Sequence, residues 1–161
     1  MNWKLPIAAV AAVPALALTL TPSAAFAGHG QHGGHDLIRM DLTPSLPTDD
    51  PIVDVSPGGL PWVIDRGGVR VRQNGRMDVR IEGLQVLRAD GTEDNPVGSI
   101  DAVLYCGGEQ VADSGPQPMS IPDGDARFRV FLDVPRTCDD ATVLISPSAA
   151  VGAAFIASAV S

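Results

Sequence analysis

From Trp62 onward the chain is a series of short alternating runs separated by proline, glycine and aspartate. Val69-Arg70-Val71-Arg72 and Met77-Asp78-Val79-Arg80-Ile81 place apolar side chains at every second position, the period of a half-buried strand. Gln73-Asn74-Gly75-Arg76 lies between them, and Asn-Gly between alternating runs is a strong hairpin signal. Parity decides the register. A two-residue loop, Asn74-Gly75, would set Val71 opposite Asp78 and Val69 opposite Arg80. A three-residue loop, Gln73 to Gly75, sets Val71 opposite Met77 and Val69 opposite Val79, so that all four apolar side chains share one face. A one-residue slip turns a strand's whole apolar set over, so the three-residue loop is expected, with Gly75 left-handed in a G1 bulge. Arg70, Arg72, Asp78 and Arg80 then occupy the opposite face.

Other runs extend the pattern. Pro61 to Ile64 reads as a brief strand, and Gly83 to Leu87 continues or restarts the second hairpin strand. The run from Ile100 to Cys106 carries Ile100, Ala102, Leu104 and Cys106 on one side and Val103 and Tyr105 on the other, the mark of a strand buried on both faces. Gln110 to Ala112 is a short partner. In Ala126 to Val134, Phe128, Val130, Leu132 and Val134 point inward and Arg127, Arg129 and Asp133 outward, with Phe131 an apolar exception. Thr142 to Ile145 follows, and the run from Ala153 to Val160 is expected to close the fold as a strand, being shorter than the ~20 residues that span a bilayer. These strands and their turn signals predict an all-β, antiparallel β-sandwich of the immunoglobulin-like kind, with seven or eight strands.

The amino-terminal part differs. Lys4, an apolar stretch from Leu5 to Leu20 and a stop at Ala25-Phe26-Ala27 describe a secretory signal peptide over residues 1–27. Residues 28–50, rich in histidine, glycine and proline, are expected to be a flexible tail, and 51–161 the domain, with Ile52, Val53 and Val55 as a first short strand. Past the signal the chain has 19 acidic residues and 10 basic ones, all arginine, a net charge of −9. That balance argues against nucleic acid and anionic membrane as partners, and no membrane span is expected after signal removal. A secreted, extracellular protein is the expectation. The lack of lysine removes Schiff-base chemistry.

Cys106 and Cys138 are the two cysteines, and in an exported chain they most simply form one disulfide. It would close a loop of about 33 residues, worth roughly 3.7 kcal/mol in the chain-entropy description. A redox pair or a metal site are the alternatives, and neither has Cys-x-x-Cys spacing or a nearby histidine. Trp62-Val-Ile, the Gly75 hairpin, the strand ending in Cys106 and the stretch from Phe128 to Cys138 resemble small exported single-disulfide β-sandwich proteins of high-GC Gram-positive bacteria, which have no assigned activity. The resemblance covers about 100 residues and implies fold and export; it supplies no catalytic residue.

Candidate chemistry is sparse. His29, His32 and His35, at three-residue spacing in the tail, are candidate copper or zinc ligands, the alternative to a plain binding role. No histidine lies beyond them, so a Ser-His-Asp triad requires the tail to dock. Glu82, Glu93 and Glu109 show no spacing that converges two carboxyls on a cleft, as a glycosidase needs. Asp90 to Asp94, Asp123-Gly124-Asp125 and Asp139-Asp140 offer oxygen ligands for calcium at loop tips, and they are also what turns require. No cofactor is implied. The candidate binding surface is the outer hairpin face with Arg70, Arg72 and Arg80, extended by Arg127 and Arg129 and facing an acidic extracellular or cell-surface protein, with cross-strand Arg–Asp pairing the other account of these arginines; Trp62 is read first as core and, in the alternative, as an exposed part of the surface. The expectation is a non-enzymatic binding or structural module.

Overall fold

The computed structural model describes residues 35–161. The expected signal peptide, His29 and His32 lie outside the described residues. Eight strands of four residues or more carry the fold: β1 (Asp36–Asp41), β2 (Arg66–Arg72), β3 (Arg76–Glu82), β4 (Ser99–Cys106), β5 (Glu109–Asp113), β6 (Ala126–Phe131), β7 (Thr142–Pro147) and β8 (Ala157–Val160). They form two antiparallel sheets, ordered β1-β2-β3-β6 and β5-β4-β7-β8. Thr43–Pro44 extends the second sheet beyond β8, and Gln117–Pro118 pairs with β4. The edge strands of the first sheet are β1 and β6.

The sheets pack face to face because alternation gives each an apolar inner side. Val69, Val71, Met77, Val79 and Ile81 from the first meet Ile100, Ala102, Leu104, Val143, Ile145, Ala157 and Ala159 from the second, all almost fully buried. A constant-type immunoglobulin domain groups its first, second, fifth and fourth strands in one sheet. Here the first, second, third and sixth share a sheet, so the sandwich is present with a different strand order. The tight β2–β3 loop keeps those two strands in one sheet instead of sending the chain across.

That loop has the register parity requires: Val69 opposite Val79, Arg70 opposite Asp78, Val71 opposite Met77. Gly75 has φ +84°, and its N–H donates to the Arg72 carbonyl at 2.9 Å. A Cβ at Gly75 would collide with the Leu132 carbonyl oxygen, and the Leu132 N–H donates to the Gly75 carbonyl at 2.9 Å. Glycine is needed there both for its φ and for the passing strand. Asn74 Oδ1 accepts from the Arg76 N–H at 3.1 Å, closing the turn.

The second sheet is covered on its outer side too. Val103, Tyr105 and Leu144 turn outward beneath Val55 and Phe155, which form a second, smaller core. Burial on both faces explains the unbroken apolar runs of β4 and β7. The cover comes from two distant segments. Ile52 and Val55 exchange backbone hydrogen bonds across a two-residue turn in which Val53 and Asp54 both have positive φ, +46° and +63°. Ala154–Phe155 pairs in parallel with Ser56–Pro57. Ile52, Val53 and Val55 are therefore a turn and not the short strand expected of them, because a two-residue reversal brings Ile52 back onto Val55.

Order also begins earlier than the expected tail boundary at residue 50. β1 pairs along β2, and Ile38 and Leu42 enter the main core at 3% and 5% exposure. Ser45 is buried, its hydroxyl donating to the Phe155 carbonyl at 3.2 Å. Two inward apolar residues hold this strand because β2 supplies its hydrogen-bond ladder. A disulfide joins Cys106, at the end of β4, to Cys138 in the β6–β7 crossover, with Cα atoms 4.9 Å apart.

Candidate binding surface

Alternation that turns valines inward on the first sheet turns arginines outward. Across the sheet the register aligns Arg39, Arg70, Asp78 and Arg129 in one row, and Asp41, Gly68, Arg80 and Arg127 in the next. Arg66 and Glu82 continue one end, and Asp36, Arg72 and Arg76 the other. Eight of the ten arginines thus lie on one face with four carboxylates, while the rest of the described chain holds two arginines and fifteen carboxylates. Between the rows is an open trough of about 720 Å³ lined by Arg39, Asp41, Arg70, Asp78, Arg80, Arg127 and Arg129.

Three of the four carboxylates are already engaged. Asp78 accepts from Arg76 Nε at 2.7 Å and Nη2 at 2.9 Å and from Arg129 Nε at 2.7 Å. Hydrogen bonding to Arg76, against the opposing effect of burial and helped by a further hydrogen bond from Arg129, holds its carboxyl down to about 2. Asp36 accepts from Arg70 Nε at 2.7 Å and lies 4.0 Å from Arg72 Nε, a buried donor with no hydrogen-bond partner. Arg80 pairs with Glu82 and, more than the neighbouring Arg66, lowers that carboxyl. Gly68 leaves the centre of the second row without a side chain, and Asp41 makes no ion pair there. Among the described residues, Arg39 and Arg127 have no carboxylate within ion-pair distance, and both are exposed.

Of the residues singled out from the sequence, Arg70, Arg72 and Arg80 do share this face, together with Arg127 and Arg129. Trp62 does not join them. It is 4% exposed, pairs with Val86 at one end of the sandwich and packs into the main core, because its place in a three-stranded end sheet turns the indole inward. Asn74 and Gly75 serve the turn. His35 is exposed just before β1, and its carbonyl accepts from the Gln73 N–H at 2.9 Å. Arg39 was hidden in the supposed tail.

The acidic loop tips do not converge, and no group of three or more histidine, cysteine or acidic residues is placed to hold a metal among the described residues. Asp94 is bound by Arg88, Asp90 by the Thr92 hydroxyl and N–H, and Asp125 by the Gly83 N–H. Asp101 differs. It sits mid-strand in β4 at 4% exposure, with Oδ2 buried and lacking a hydrogen-bond partner. Burial pushes its carboxyl up, a hydrogen bond from Ser148 opposes that, and the charge of Asp113 and a hydrogen bond with the Asp113 carboxyl add to the rise. Burial, then Asp113, likewise raises Tyr105. No helix among the described residues is long and apolar enough to cross a membrane. Comparison of the chain with protein-family models, with curated proteins and with solved structures finds no match in any of the three.

Proposed function

We propose that this chain is an exported, non-enzymatic binding module that seats a carboxylate-rich segment of an extracellular protein on the arginine face of its first sheet. The observation that carries the reading is the segregation of charge: eight arginines gathered on one face of a chain whose remainder is strongly acidic. Guanidinium groups hold carboxylates through paired, directional hydrogen bonds, and Asp78 and Arg76 display that chemistry within the face itself. Arg39 and Arg127, exposed and without an ion pair, are the cations left to receive a guest, and both line the trough. The non-enzymatic part of the reading rests on composition: no histidine beyond His35, no lysine beyond Lys4, and both cysteines in a disulfide.

Poly-L-glutamate titrated calorimetrically into the mature protein at low salt tests it. Binding is expected, weakening steeply as salt rises. The double substitution Arg39→Glu with Arg127→Glu is expected to cost tenfold or more in affinity while leaving the thermal midpoint within about 2 °C, since exposed charges contribute little to stability. No binding by the unaltered protein, or equal binding by the double variant, overturns the proposal.

A further inference from the structure

We infer that Asp101, Asp113 and Ser148 form a calcium site on the outer side of the second sheet, the side opposite the arginine face. Residues of β4 alternate, so Ser99 and Asp101 point outward with Val103 and Tyr105. Ser146 of β7 stands directly opposite Asp101, and Asp113 of β5 stands opposite Val103, one diagonal step from Asp101. Diagonal neighbours on one sheet face are within side-chain reach. Ser148 follows β7, its hydroxyl 2.8 Å from that of Ser99. Asp101, Asp113 and Ser148 therefore share one patch of this face, with the Ser99 hydroxyl bonded to that of Ser148 and Ser146 beside Asp101 in the sheet.

The buried Asp101 Oδ2 has no hydrogen-bond partner. A carboxylate oxygen removed from water and given no donor is costly, and a bound cation removes that cost. Asp113 is exposed and Ser148 half-buried, so the site has an entrance. Asp113 Oδ1 accepts from the Gly115 N–H at 2.8 Å, which orients the carboxylate and leaves its second oxygen for a ligand. The donor set contains oxygen alone, the preference of a hard cation, whereas zinc favours nitrogen and sulfur. The donors come from two neighbouring strands and the turn after a third. Calcium accepts such irregular surroundings and completes its six to eight ligands with water and backbone carbonyls, while magnesium demands a near-octahedral cage. At the acidic loop tips, by contrast, Asp94 is occupied by Arg88, Asp90 by Thr92 and Asp125 by the Gly83 N–H.

Thermal unfolding of the mature chain, first in EDTA and then with excess CaCl2, MgCl2 or ZnCl2, tests the site. Calcium at about a hundredfold over its dissociation constant is expected to raise the midpoint by roughly 5–10 °C, with magnesium and zinc giving clearly less. Asp101→Asn is expected to abolish the shift and Asp113→Asn to weaken calcium binding tenfold or more by calorimetry. Asp94→Asn, at a loop tip, is expected to retain it. Absence of a calcium shift in the unaltered protein overturns the inference, as does a shift that survives in Asp101→Asn. A midpoint that ignores calcium but rises on acidification, and loses that rise in Asp101→Asn, shows a proton in the cation's place and overturns it too. Failure of poly-L-glutamate binding bears only on the arginine face and leaves this result untouched.

Discussion

The sandwich has two outer faces built from the same kind of strand, and they meet water in opposite ways. On the first sheet, arginine and carboxylate alternate with core residues and the face stays open. On the second, Val103, Tyr105 and Leu144 replace the charges, and a turn and a return segment close over them. Two phenylalanines mark the contrast. Phe131, outward on β6, is 73% exposed, whereas Phe155, over the second sheet, is 1% exposed. One residue type thus serves as surface on one side and core on the other, and what separates them is whether the chain comes back to cover the spot.

The sharpest way to break this comparison is to truncate both rings. Phe155→Ala is expected to destabilise the protein by about 3–5 kcal/mol in denaturant unfolding, and Phe131→Ala by less than about 0.5. Similar losses would mean that the cover over the second sheet is not a true core. A smaller effect lies in the cover's own turn. Val53 and Asp54 hold the positive φ values that two-residue hairpin loops usually assign to asparagine and glycine. Asp54 is exposed, so Asp54→Gly relieves backbone strain without losing packing and is expected to stabilise by about 0.5–1 kcal/mol. A loss of stability there would show that the aspartate side chain holds the turn.

Least in amplitude, but opposite in sign on the two faces, is the response to pH. Asp78 is held down to about 2 in the folded state, below its ordinary value of 3.8, so the unfolded chain binds the proton more readily. Its contribution is present above about pH 3.8 and is lost as pH falls through about 2; with solvent screening it amounts to under about 1 kcal/mol. Asp101 is raised, so without added cation its contribution is present at low pH and is lost as pH rises from 3.8 through its folded value. Asp78→Asn is expected to flatten the acid limb of a stability–pH curve measured in EDTA, and Asp101→Asn the limb above it. Both variants altering the same limb would contradict the assignment.

Strict alternation in β2, β3 and the first residues of β6 made these elements legible, including the hairpin register, since one parity error would have buried Asp78 and Arg80. The apolar runs of β4 and β7 announced burial on two sides. What lay on the second side was hidden, because the cover is Val55 and Phe155, a hundred residues apart. β1, with Ile38 and Met40 and, just past its end, Leu42 in alternation, lies between a glycine-rich stretch and a run of prolines that masked it, and Arg39 went with it. Asp101 carried a signal of its own: an acid within a run otherwise apolar on both faces. Turn chemistry accounts for a loop-tip acid such as Asp90 and not for a carboxylate in mid-strand. Asn95 was also unread. Its buried side chain donates to the Val97 and Ser120 carbonyls at 2.7 Å each, contacts that nothing local in the sequence foretells.

The rows of arginine on the first sheet also bear on how the molecule approaches another. At long range a chain of net charge −8 is repelled by any acidic body. At physiological ionic strength that repulsion fades beyond about 8 Å, so a visitor at close range feels the nearest face and not the total. The separated charges give the molecule a dipole, which turns the arginine side toward an acidic surface during the encounter and raises the fraction of collisions that arrive correctly oriented. Moderate salt would then suppress the mutual repulsion of whole molecules before it dissolves contacts at the face, so the rate of capture should pass through a maximum with ionic strength.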